Sequence, residues 1–174
     1  MFKGRFHVWL PVVRRAVDIE RGWIGEPDLI IPNLVTDTGE LYYLRAIFRN
    51  SFPIAGGGNW KVGLCNQTPA DTDVLAGVTS EPTIGTGGYA RQNATRDAAG
   101  WPTESTVNGH SSIKTGTLTF TAAGADFDKT VSRLFLSDVA SGAGNLFAYS
   151  GALLTPITVT NGTSLLAQYE AFMN

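Results

Sequence analysis

The residues able to do chemistry are few, and their spacing suits little of it. The two histidines, His7 and His110, form no His-x-x-x-His pair and no His/Cys cluster at metal-ligand spacing. Serine, histidine and aspartate all occur, yet no Gly-x-Ser-x-Gly elbow offers a serine nucleophile. Asp71-Thr72-Asp73 and Asp126-Phe127-Asp128 place carboxylates two apart. On a strand both would point to one side, as glycoside hydrolysis or Ca²⁺ ligation would want. The further oxygen ligands and closing glutamate of a calcium loop are missing, so these acids read as loop acids or turn caps. Gly85-Thr86-Gly87-Gly88 lacks the Lys-Ser/Thr of a phosphate loop and precedes a strand, so it reads as a turn. Cys65 is the single cysteine, which excludes an internal disulfide, and within Trp60–Cys65 it reads as a small apolar core residue. The expectation is a protein with no catalytic group, no metal and no cofactor.

Composition bounds the class. A net charge of −2 and a pI near 5.6 argue against general nucleic-acid binding, which shows an excess of basic residues on one face. With 174 residues, 43% of them hydrophobic, the chain can bury one good core, so one domain plus appendages is expected. Only 16% of residues are charged, beside 20 glycines, which points to a polar, threonine-rich surface of the kind β proteins turn towards other proteins. No apolar run approaches the roughly 20 residues that span a bilayer, so no membrane association is expected. Met1 to Leu10 imitates a signal peptide faintly. Pro11 and Arg14-Arg15 cut it short and no small-residue cleavage site follows, so secretion is not expected.

The elements that must position these residues read as strands. Leu118 and Phe120 alternate with Thr117, Thr119 and Thr121, the period of a half-buried strand. Leu134-Phe135-Leu136 suits a strand buried on both faces. Ser141 to Asn145 breaks the chain, and Leu146 to Tyr149 resumes it. Ile157 to Thr160 leads into the turn dipeptide Asn161-Gly162. The closing strand carries apolar residues on both faces, with Leu165, Ala167, Tyr169 and Ala171 on one and Leu166 and Phe172 on the other. Earlier strands are expected at Leu41–Arg49, Trp60–Leu64 and Gly88–Thr95. Asn66 to Gly87, rich in Thr, Asp, Pro and Gly, is the long loop and the best candidate for a binding surface. About eight strands with no long amphipathic helix describe an all-β fold, a jelly-roll-like antiparallel β-sandwich, with an immunoglobulin-like sandwich as the other connectivity.

Residues 1–39 differ from the rest. They are too apolar for a disordered tail and too broken by Pro11, Pro27 and Pro32 for a core element. They predict an extended N-terminal arm that anchors on another subunit or protein, ahead of a β-sandwich domain over residues 40–174. A strap laid over the chain's own sandwich is the other reading. A short helix over Val12–Ile19 would fit within the arm. Phe6, Trp9, Trp23 and Ile24 are the expected apolar anchors. Arg14 and Arg15 are expected to meet an acidic partner surface.

Several short pieces occur together in order. They are Gly87-Gly88-Tyr89-Ala90-Arg91, Trp101, Leu118 to Ala122, Leu134 to Asp138, Asn145 to Tyr149, Leu154-Thr155-Pro156 and Thr158 to Gly162. From Trp60 to Asn174 this order resembles small virion structural proteins of tailed bacteriophages, of the tail-fibre, minor structural or capsid decoration type. The resemblance implies a homo-oligomer, commonly a trimer, on the particle as capsid decoration or cement, or as a neck or tail attachment. Its implied partners are other virion proteins such as the major capsid, portal or neck, or tail proteins. It implies a place in the virion after assembly in the bacterial host cytoplasm. The rival is a carbohydrate-binding module that recognises a host receptor, with Trp60, Tyr89, Trp101 or Tyr149 as stacking faces if exposed.

Overall fold

A computed structural model describes residues 2–9, 27, 29–35, 58–68, 70, 72–107, 110–153 and 155–173. Ten strands form among these residues: β1 (Phe2–Trp9), β2 (Leu29–Val35), β3 (Trp60–Cys65), β4 (Gln92–Ala94), β5 (Thr103–Val107), β6 (His110–Lys114), β7 (Leu118–Thr121), β8 (Arg133–Ser137), β9 (Leu146–Ser150) and β10 (Ser164–Met173). Their pairings are antiparallel. The hydrogen-bonded path runs β4-β3-β8-β9-β2-β1-β10-β6-β5, with β7 beside β10. One sheet holds β3, β4, β8 and β9, and the other holds β1, β5, β6, β7 and β10. β2 belongs to both: Leu29 to Pro32 pair with β1, and Asn33 to Val35 pair with β9. Pro32 lies where the strand changes partner, a place that tolerates a residue with no backbone N–H to give to a ladder.

This is the all-β antiparallel sandwich that the alternation in the sequence predicts. The core between the sheets takes Leu118 and Phe120 from β7, Leu165, Ala167 and Tyr169 from β10, and Val62, Leu64, Leu134 and Leu136 from β3 and β8. Between β8 and β9 the register slips, since Leu136 faces Ala148 while Ser137 faces Leu146. Phe147 is the extra residue of that bulge. It joins the same core and meets Trp60 edge-on, with ring centroids 4.4 Å apart.

The N-terminal expectation needs correction where residues are described. Phe2–Trp9 is a strand between β2 and β10, not an arm reaching for a neighbour, and Leu29–Val35 is likewise within the sheets. Phe6 and Val8 are 0% exposed in the main core, and Phe6 stacks at a tilt on Tyr169, 4.8 Å between centroids. The physical reason is the partner. β10 offers eight consecutive pairing positions to β1, so apolar residues two apart bury in the chain's own sandwich at no cost of a second subunit. The division at residue 39 therefore does not describe these two stretches. Arg14, Arg15, Trp23, Ile24, the expected helix over Val12–Ile19 and the expected strand over Leu41–Arg49 lie outside the described residues.

Three further differences concern where strands form. The stretch after Trp101, where the sequence shows no strand period, contains the hairpin of β5 and β6, in which Thr103 to Thr106 are exposed. Ile157 to Thr160 contributes only an isolated bridge, Val131 to Ile157, and Gly88–Thr95 shortens to the three residues of β4.

Two core substitutions test this packing by chemical unfolding. Leu134→Ala is expected to cost ~2–5 kcal/mol, the range for emptying a packed leucine site. Gly63 lies under the Phe135 ring so closely that a Cβ would overlap it, and Gly63→Ala is expected to cost ~1–3 kcal/mol through overpacking. Unchanged midpoints in both would mean that neither site is packed as described.

Candidate functional site

The long loop is where the chain departs from regular structure and is nevertheless fixed. Sheet β3-β8-β9 is apolar on both faces, and its outer face carries Cys65, Phe135, Leu146 and Tyr149. Left wet, these side chains would cost most of what the sheet's burial gains. The loop after β3 closes over them. Leu75, in the 3-10 turn Leu75–Gly77, and Val78 pack into that cluster.

Polar contacts then pin the loop to the sandwich. Arg91 reaches Glu81 with two parallel hydrogen bonds, Nε to Oε1 at 2.8 Å and Nη2 to Oε2 at 2.7 Å, and its Nη1 donates to the Val139 carbonyl at 2.9 Å. The guanidinium lies over the Phe135 ring, 5.2 Å from its centre. The Tyr89 hydroxyl donates to Glu81 Oε1 and accepts from the Leu64 amide, each at 2.9 Å. Burial, and then the Glu81 charge beside it, pushes the Tyr89 phenol far above its ordinary range, so it is a fixed donor. This forked charged pair is the strong form of ion pairing, and Arg91 is buried with it.

Smaller contacts repeat the pattern along the loop. Asp128 accepts from the Thr83 hydroxyl at 2.6 Å and its amide at 2.8 Å, and these two bonds hold its carboxyl below the usual range. Lys129 Nζ donates to the Thr79 carbonyl, and the Asn66 amide donates to Ser80 Oγ. Asp126 accepts the Asn161 amide at 2.7 Å, and Asp73 accepts the Ala70 amide. Asp73, Asp126 and Asp128 are thus turn and loop caps, and Asp71 lies outside the described residues. What the pinned loop leaves outside is a firm surface bearing Val74 at 56% and Ile84 at 43% exposure.

The other residues singled out from the sequence sit apart from this loop. Phe6 is core, and Trp9 ends β1. Trp60, Tyr89 and Tyr149 are buried and Trp101 is half-buried against Tyr169, so the first three are not available as sugar-stacking faces. Burial pushes the Cys65 thiol up to about 12, far from a reactive thiolate. His7 Nε2 lies 2.7 Å from Glu170 Oε2, and Ser112 donates to the same carboxylate. Hydroxyl and imidazole share an acceptor there and form no nucleophile and base relay. Among the described residues, no group of three or more His, Cys, Asp or Glu side chains is placed to hold a metal ion. The Glu81–Arg91 pair was not legible in advance: a separation of ten positions matches no local pattern, and only the tertiary fold closes the distance.

A family model described as Podophage GP4 fiber I protein gp80 matches residues 35–171 of the chain. No curated protein matches it.

Glu81→Ala is expected to cost ~3–5 kcal/mol in urea unfolding, because it strands a buried guanidinium and a buried phenol together. It should also open the loop to limited proteolysis between Thr72 and Ile84. A variant with the wild-type midpoint and the wild-type cleavage pattern would show that the pair does not hold the loop.

Proposed function

The chain belongs to the podophage GP4 fiber I protein gp80 family, a family of phage structural proteins, and from that membership we propose that it is a non-enzymatic subunit of a tail fibre. The observation that carries the reading is the extent of the match, from the last residue of β2 to within β10. A place on the tail is preferred to capsid decoration or the neck because the family is described as a fibre.

The side chains support a structural role. Among the described residues His7, Cys65, Asp73, Asp126 and Asp128 are engaged as hydrogen-bond partners, caps or core, and three of the four aromatics that a glycan site would need are buried. A fibre subunit works by holding a fixed shape while it contacts its neighbours. The sandwich, with one loop pinned over its second apolar face, suits that work. On this reading the subunit assembles with copies of itself, as a trimer, and joins the particle through other tail proteins. The exposed Ile30, Val74 and Ile84 are large apolar side chains suited to such contacts.

The test is a short peptide tag in the exposed turn between Gly142 and Ala143, followed by gold labelling and negative-stain microscopy of purified particles. Label on the tail is expected. Label spread over the capsid would overturn the fibre placement, and unlabelled particles with soluble tagged protein would overturn a virion role. Light scattering of the purified chain is expected to give the mass of a trimer, and a monomer at all concentrations would remove self-assembly from the proposal.

A further inference from the structure

The outer face of the β1–β10–β6 sheet holds buried charge that the fibre reading does not use. Glu170 on β10 pairs across the strands with Arg5 on β1 and with Lys114 on β6. Its Oε2 receives Arg5 Nε at 2.8 Å and lies 2.7 Å from His7 Nε2. Ser112, also on β6, gives it a further hydrogen bond. His7 and Glu170 are each only 7% exposed. A neutral imidazole with its proton on Nε2 satisfies this geometry as a donor.

We propose that Arg5, His7 and Glu170 form an acid-sensitive clasp that fastens β1 to β10, closed while His7 is neutral and loosened when its imidazole takes up a proton. Among the described residues, the groups around the pair are Arg5 on β1, Gln168 on β10, Ile30 on β2, and Ser112 and Lys114 on β6. Among the described residues, His7 already feels two cations, Lys114 and Arg5, beside the one carboxylate. A charged imidazole adds a third cation in a place that water scarcely reaches.

The direction of each titration follows from its surroundings. Burial lowers the His7 value below the ordinary 6.5, with Lys114 and Arg5 acting the same way, and the hydrogen bond to Glu170 opposes without prevailing. For Glu170 burial alone would raise the value, but the hydrogen bonds from Arg5, His7 and Ser112 outweigh it and hold the carboxyl at about 2. The folded protein therefore binds fewer protons than the unfolded chain at both groups. The His7 contribution is intact above 6.5 and is lost as the pH falls below that value. The Glu170 contribution is intact above 4.5 and is lost as the pH falls from there towards about 2. Acid loosens the clasp in two stages, imidazole first. β1 also carries Phe6 and Val8 into the core, so a loosened clasp weakens one wall of the sandwich. None of this depends on where the protein sits in the particle.

The test compares the pH dependence of thermal unfolding in the full chain with that of His7→Gln, whose amide can still donate to Glu170 but cannot be protonated. Between about pH 7.5 and pH 5 the wild-type midpoint is expected to fall while the variant's stays nearly level. Parallel curves would overturn the clasp. Should H7Q fail to fold, hydrogen exchange in the unaltered chain decides the matter. Corrected for intrinsic rates, the β1 amides are expected to lose protection below pH 6.5 ahead of those of β3, and an equal loss in both strands would overturn the proposal.

Discussion

A ten-residue strand that is apolar on both faces persists in water only when both of its edges are paired and both of its faces covered. β10 meets that constraint with three partners. β1 runs along one edge for eight pairs, and β7 and β6 divide the other, at Ser164 to Ala167 and at Glu170 to Met173. Inward, Leu165, Ala167 and Tyr169 meet the second sheet. Outward, Glu170 is satisfied by donors from β1 and β6. Without β1, β10 would be an edge strand with Tyr169 facing a gap where Phe6 now lies. The burial of Phe6 is thus a requirement of β10 as much as a property of the N-terminal residues.

The second sheet meets the same constraint by other means. β8 has Leu134 and Leu136 turned to the main core and Phe135 turned away from it. Among the described residues no third sheet covers Phe135, and Leu75 and Val78 of the loop after β3 pack with it instead. A loop can serve as a layer only if its backbone and polar groups are answered. Here Glu81, Arg91, Tyr89 and Asp128 answer them. Arg91 does two jobs at once, since its guanidinium covers the Phe135 ring and grips the loop's carboxylate. That is why this long connection can be both irregular and firm.

Most of the sandwich was legible wherever burial imposes a period. Leu118 and Phe120 among threonines, the doubly apolar Leu134 to Leu136, and the closing strand from Leu165 to Ala171 all carry the pattern their packing demands. β5 was not legible, because Thr103-Glu104-Ser105-Thr106 is exposed and held by its backbone ladder to β6, and a ladder leaves no trace in hydropathy. β1 was missed because only Phe6 and Val8 mark its inner face, too short a run to outweigh the prolines that follow. The contacts that fix the loop were hidden for a different reason. Glu81 to Arg91 and Thr83 to Asp128 join residues that only the finished fold brings together, and neither charge nor spacing announces them. Asp126 and Asp128 were legible as caps, since nothing near them in sequence could complete a metal site.

β1 and β10 lie antiparallel with Phe2 opposite Met173, so the two ends of the described chain leave the sandwich side by side. A pull that separates those ends loads the ladder one rung at a time, beginning with Phe2 and Met173 and reaching Phe6 and Tyr169 only after several rungs have parted. A pull along the strand axis loads all the rungs together. The sandwich is therefore a poor link if tension separates these two ends, and a stronger one if tension runs along the strands.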